Sequence, residues 1–175
     1  MRIKSLGVDL SLTGTGIALL EDEKLVYSGT IKSKKEGDTP TTEVLRINTI
    51  VGSVMEHVTE DVDIVVLEGI AFMAKSTALA QLSGLTYLVR SKLVERGVPF
   101  LVVAPTSLKK FVTGKGNSPK DVMMLETFKR FGVSIPENNQ CDAYGLAQVG
   151  LATLDPKYKS TEFQKEVIKL IKKQI

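Results

Sequence analysis

Leu6-Gly7-Val8-Asp9-Leu10-Ser11-Leu12-Thr13-Gly14-Thr15-Gly16-Ile17-Ala18 is the stretch whose reading decides the fold. An apolar run carries one aspartate to its end, breaks at a turn holding two glycines, and resumes as Ile17-Ala18-Leu19-Leu20. Period and breakers predict a strand, a tight Gly-rich turn and a returning strand. Asp9 ends a strand of interior character, where an ionised carboxylate is costly unless a partner meets it. A hydrogen-bonded turn, a buried ion pair or a metal would each serve. Companions elsewhere in the chain decide among the three.

The hairpin extends outward in a regular way. Lys24 to Ile31 reads as a third strand after the polar turn Glu21-Asp22-Glu23, and a charged loop, Lys32 to Asp38, follows. Thr39-Pro40 has the form of an N-cap with proline at the first helical position. Val44, Ile47, Val51, Val54 and Val58 share a helical stripe, predicting an amphipathic helix over 40–59 with His57 solvated off the stripe. Asp63-Ile64-Val65-Val66-Leu67-Glu68 is a nearly all-apolar run of the kind covered on both faces, and it too ends in an acid.

A long helix is expected from Ser76 to Arg96, with Leu79, Leu82, Thr86, Val89 and Leu93 on one face. Gly84 within it costs propensity and hints at the close approach of another helix, in the core or across a dimer. Pro99 to Val103 is a fifth strand, with a short helix over 105–112 and a loop over 113–117. Ser118-Pro119-Lys120-Asp121 reads as a capping box opening a helix that Gly132 stops. Helices over 139–153 and 162–173 complete the chain, the last one basic and amphipathic. The whole is one α/β domain over residues 1–175, with a mixed five-stranded sheet (three antiparallel strands, then parallel ones) flanked by helices.

Composition narrows the chemistry. Hydrophobic residues at 43% and charged ones at 25% suit one globular domain with a sizeable core. No apolar run approaches the ~20 residues of a membrane span. No signal-like segment precedes the first strand, so the expectation is a cytoplasmic protein without a membrane partner. The single Cys141 excludes an internal disulfide, and the single His57 excludes His-rich metal centres. A net charge of +3 is too small to imply a polyanionic partner by itself.

Local charge is more telling. Asp9 and Glu68 end two interior strands, and Asp142 lies in the apolar helix Asn139-Gln140-Cys141-Asp142-Ala143-Tyr144-Gly145-Leu146. Asn139, Asp142 and Leu146 share a face by their spacing. Acids gathered in low dielectric repel unless a cation neutralises them, and an all-oxygen donor set suits Mg²⁺ or Mn²⁺. Such convergence is how a two-metal phosphodiester site is built, its ions activating water and stabilising the leaving oxygen.

The stretch from Arg96 to Lys120 contains no acid and carries Lys109, Lys110, Lys115 and Lys120. A lysine in the first helical turn, as Lys120 would be, opposes the macrodipole unless an anion lies between, and phosphate suits that place. Phe72 and Lys75 add an aromatic and a cation just past Glu68, fit either to engage bases or to anchor the loop.

The ordered set resembles the RuvC-type Holliday junction resolvases of the RNase H-like superfamily, in particular their bacteriophage and viral versions. The resemblance spans residues 3–153. It rests on Gly7-Val8-Asp9 to Gly16, Leu67-Glu68-Gly69, Phe72 to Lys75, Leu108-Lys109, Thr113 to Lys120, and Asn139 with Asp142-Ala143. It implies Asp9, Glu68 and Asp142 as catalytic metal ligands and Asn139 as a fourth, where the family usually has an acid or histidine and where Glu137 could substitute. It implies two Mg²⁺ ions per site, with Mn²⁺ able to replace them. Lys109 and Lys120 match lysines that contact DNA or assist catalysis, and Phe72 lies close to a junction-engaging aromatic. The implied partners are branched DNA, the four-way junction above all, and a second copy of the chain joined through helix 76–96. The implied activity is a crossover junction endodeoxyribonuclease making symmetric nicks. Another RNase H-like nuclease, or a junction-binding module without catalysis, are the alternatives.

Overall fold

The computed structural model describes residues 2–70 and 77–174. Five strands form one sheet in the order β3-β2-β1-β4-β5: β1 Lys4–Asp9, β2 Gly14–Glu21, β3 Lys24–Lys32, β4 Ile64–Glu68 and β5 Phe100–Val103. β1, β2 and β3 pair antiparallel, and β4 and β5 join β1 in parallel. The expected mixed sheet is therefore present, its apolar, twice-covered strands β1 and β4 at the centre.

Strand alternation divides the core in two. Leu6, Val8, Ile17, Val65 and Leu67 pack with the buried stripes of α1 (Pro40–Glu56) and α2 (Thr77–Glu95) on one face. Ile64, Val66, Leu101 and Val103 pack on the other face with α3 (Pro105–Thr113), α4 (Lys120–Phe131), α5 (Asn138–Leu154) and α6 (Glu162–Ile171). α5 is buried along nearly its whole length and lies across β1 and β2.

Several local expectations are corrected. Val44 is 53% exposed, and Ile50 and Met55 complete the α1 stripe instead. His57 is half-buried at the end of α1 with its ring stacked on Tyr27 at 4.8 Å. Beyond its own helix and chain neighbours, nothing among the described residues stands within 4 Å of where a Gly84 Cβ would be, so no second helix among them approaches it. Ser118 does not cap α4: the N-cap is Pro119, and Ser118 Oγ bonds Thr113 Oγ1 at 2.7 Å and the Lys115 carbonyl at 3.0 Å. A side chain with two closer partners in the preceding loop has no reason to turn toward the helix.

The C-terminal helix has a structural role. Val167, Ile168 and Ile171 enter the second core cluster. Beyond them Gln174 accepts from the Val102 N–H at 3.0 Å and donates to its carbonyl at 2.8 Å, pairing the open edge of β5 as another strand would.

Candidate active site at the carboxyl ends of the parallel strands

β1 and β4 run parallel with Val8 opposite Leu67, so the next residues, Asp9 and Glu68, stand side by side on neighbouring strands. Since Val8 and Leu67 face α1 and α2, alternation turns both acids to the α5 face. α5 begins at this same end of the sheet, and its first turns carry Asn139 and Asp142.

What brings α5 so near is the absence of side chains beneath it. A Cβ on Gly7 would lie 1.9 Å from the Ala143 carbonyl oxygen, and one on Gly16 would lie 2.0 Å from that of Asn139. Neither could be accommodated, because the obstruction is backbone. Gly16 thereby leaves room for α5 and hence for Asp142. Ser5 Oγ donates to the Ala147 carbonyl at 2.8 Å, fastening the same contact one turn further on.

A polar latch fixes the start of α5 to β2 and β3. Asn139 Nδ2 donates to the Gly14 carbonyl at 3.0 Å, and Asn139 Oδ1 accepts from the Gln140 N–H at 2.9 Å. Thr30 Oγ1 donates to Glu137 at 2.6 Å and accepts from Gln140 Nε2 at 3.0 Å. Sequence reasoning passed over Thr30 and Gln140, since only the antiparallel register brings β3 beside α5. Both Asn139 and Glu137 are engaged in this latch as the structure stands.

The electrostatics follow from the crowding. Burial and the Asp142 charge push Asp9 up to about 7, against a hydrogen bond from Glu68 and the Lys120 charge. Burial and the charges of Asp9 and Asp142 push Glu68 up to about 8. With Glu68 protonated, the pair shares that proton in a direct hydrogen bond. Burial also raises Asp142, while Lys120 and Lys109 draw it down. Three acids and two lysines thus act on one another, although they come from five separate elements.

The donor chemistry fits a divalent cation. The set is all oxygen, and two half-buried acids hold a proton between them where a cation would remove their repulsion. Among the described residues, no three His, Cys, Asp or Glu side chains are grouped tightly enough to close on an ion. The Asp9–Glu68 pair is the part already assembled, with Asp142 acting on it through charge.

The basic stretch divides by role. Lys109 and Lys120 act on the acids. Lys115 is exposed in the α3–α4 loop. Lys110 pairs with Glu166 of α6 at 2.5 Å. Arg96 is turned away: it donates to the carbonyls of Met55 at 3.0 Å and Val58 at 3.2 Å, closing the end of α1. Phe72 and Lys75 lie outside the described residues.

Comparison with known proteins agrees with this arrangement at the level of fold. The chain matches no family model, and no curated protein is recognisably similar to it in sequence. Among solved structures, Thermus thermophilus RuvC superposes with a TM-score of 0.69 at 19% identity, covering 83% of this chain and 91% of that one. The same protein in complex with a Holliday junction substrate gives 0.67 at 16% identity, covering 91% and 99%. The fowlpox virus resolvase with its substrate Holliday junction DNA gives 0.55 at 14%, covering 87% and 99%. The fold is that of the RuvC-type resolvases, an RNase H-like one.

Proposed function

We propose that this chain is a structure-selective DNA endonuclease that resolves four-way junctions as a homodimer, using a divalent metal at Asp9, Glu68 and Asp142. The observation that supports it above all is the meeting of three acids and two lysines at the carboxyl ends of adjacent parallel strands. The fold shared with two junction resolvases supports the same reading.

Asp9 and Glu68 would hold the cation, and Asp142 would complete the donor set. A Mg²⁺ or Mn²⁺ ion, or a pair of them, would supply an activated water and neutralise charge on the phosphate. Glu68 would hold the cation in its ionised form, so binding would tighten as pH rises. Lys109 and Lys120 lower the cost of ionising the acids, and they would meet the phosphate oxygens by charge-assisted hydrogen bonds.

The outer face of α2 supports dimerisation there. Tyr87 is 65% exposed and Val94 68%, two turns apart on the same side of α2, and they leave apolar side chains there for a second copy to cover. A two-fold dimer would present two sites to symmetric strands of a junction.

Asp9→Asn and Asp142→Asn test the proposal. Each is expected to abolish Mg²⁺- or Mn²⁺-dependent cleavage while junction binding persists. Cleavage at the parental rate by either variant would remove the metal-site reading, and preferential cutting of an RNA–DNA hybrid would redirect it to a ribonuclease.

A further inference from the structure

The α5 face of the sheet carries a row of functional positions at its catalytic end, and the row continues past the acids. Asp9 pairs with Gly16, Gly16 with Thr30, and Gly14 with Lys32. Ile31 packs on the α1 and α2 side, so Thr30 and Lys32 point to the side of Asp9 and Glu68. Between Asp9 and Lys32 lie Gly16 and Gly14, on which the start of α5 rests through Asn139, so a DNA strand joining the two positions would pass over that helix end. With strands about 4.8 Å apart and about 3.3 Å per residue, Lys32 stands roughly 12 Å from Asp9 between Cα atoms.

The segment after Lys32 is held in place. The Ser33 N–H donates to the Thr13 carbonyl at 3.2 Å, extending the ladder beyond the strand. Arg46 of α1 donates from Nε to Ser33 Oγ at 3.1 Å and from a terminal nitrogen to the Leu12 carbonyl. One guanidinium thus ties the β3–α1 loop to the loop that follows Asp9. Lys35 is paired with Asp38, and Glu36 lies exposed beside it. Lys32 and Lys34 are exposed, and neither has a carboxylate within ion-pair distance among the described residues.

We propose that Lys32 and Lys34 form a second track for the DNA backbone, on the β3 side of the acids and opposite Lys109 and Lys120, a few phosphates from the bond to be cut. DNA would then cross the whole carboxyl end of the sheet, gripped on both flanks of the site. Arg46 is a positioning residue that fixes the height of this track relative to Asp9. The inference rests on the nuclease reading above.

The test is binding of a fluorescent four-way junction across a salt series, in the Asp9→Asn background so that no strand is cut. Each lysine–phosphate contact adds about 0.9 to the slope of log affinity against log salt. Lys32→Ala with Lys34→Ala removes two contacts from each protomer of the bound dimer and is expected to lower that slope by about 3.6. Lys32→Arg with Lys34→Arg should keep it. Lys157→Ala with Lys159→Ala, the same charge change in the segment after α5 at the far end of the sheet, should leave it unchanged. An unaltered slope in the Lys32/Lys34 alanine variant, or an equal loss in the Lys157/Lys159 control, overturns the track while the nuclease reading stands. Failure of the Asp9→Asn parent to bind the junction overturns that reading, and the track with it.

Discussion

Replacing Glu68 by glutamine is expected to stabilise the metal-free protein at pH 8 and to change it little at pH 5. Burial, with crowding by Asp9 and Asp142 added to it, lifts Glu68 from an ordinary 4.5 to about 8. The folded chain therefore binds this proton more tightly than the unfolded chain does. Stability contributed by the protonated form is present below pH 4.5 and is lost as pH rises toward 8. At 1.36 kcal/mol per pH unit the full span is worth about 5 kcal/mol. Solvent at the half-buried site and sharing with Asp9 reduce this to about 2–3 kcal/mol. Glutamine keeps the shape and can still donate to Asp9, but it has no charge to expel. For a domain of this size the gain corresponds to a rise in melting temperature of about 5–10 °C at pH 8 in EDTA. At pH 5 the difference should fall below about 1 kcal/mol. Thermal melts of both proteins at the two pH values, with and without Mn²⁺, measure it, and Mn²⁺ should stabilise only the parent strongly. Equal melting temperatures at pH 8, or a less stable variant there, would refute the crowding of the acids.

Lys120→Ala should slow cleavage about 10²-fold while the melting temperature stays within about 2 °C, since Lys120 is exposed and acts on Asp9 and Asp142 by charge. A lowered melting temperature with unchanged specific activity would make the lysine structural. Gly16→Ala forces a methyl to within 2.0 Å of the Asn139 carbonyl and should cost about 3 kcal/mol or more in urea unfolding. Gly52→Ala in α1, with open space around it, should instead gain about 0.5–1 kcal/mol, and equal effects at the two sites would contradict the packing argument. Arg96→Ala should lower stability by about 1–2 kcal/mol through the freed Met55 and Val58 carbonyls, with junction affinity unchanged. A loss of affinity at constant stability would return Arg96 to the DNA surface.

The parts of this protein legible in its sequence are those written in local pattern. Asp9 and Glu68 stand out because each ends an interior strand, and Asp142 because helical spacing places it on a packed face. The mixed character of the sheet followed from the same runs, and Lys120 from its place at a helix start. What stayed hidden depends on pairing between distant segments. Nothing near Gly16 in the chain announces that Asn139 will lie 2.0 Å from its missing Cβ. Arg96 and Lys110 read as members of one basic stretch, yet the fold sends one to cap α1 and the other to Glu166. Lys32 lay in a charged loop until the β2–β3 register set it opposite Gly14. Asn139 was expected as a ligand from its position in the motif, while its hydrogen bonds to Gly14 and Gln140 fasten α5 to the sheet.

The most direct test of the central claim is metal-dependent cleavage of a four-way DNA junction beside a linear duplex of the same sequences, with nick positions mapped. Paired nicks in strands of like polarity are expected on the junction with Mg²⁺ or Mn²⁺, with little cutting of the duplex and none in EDTA. Equal cutting of both substrates, or no cutting of the junction with either metal, would contradict it.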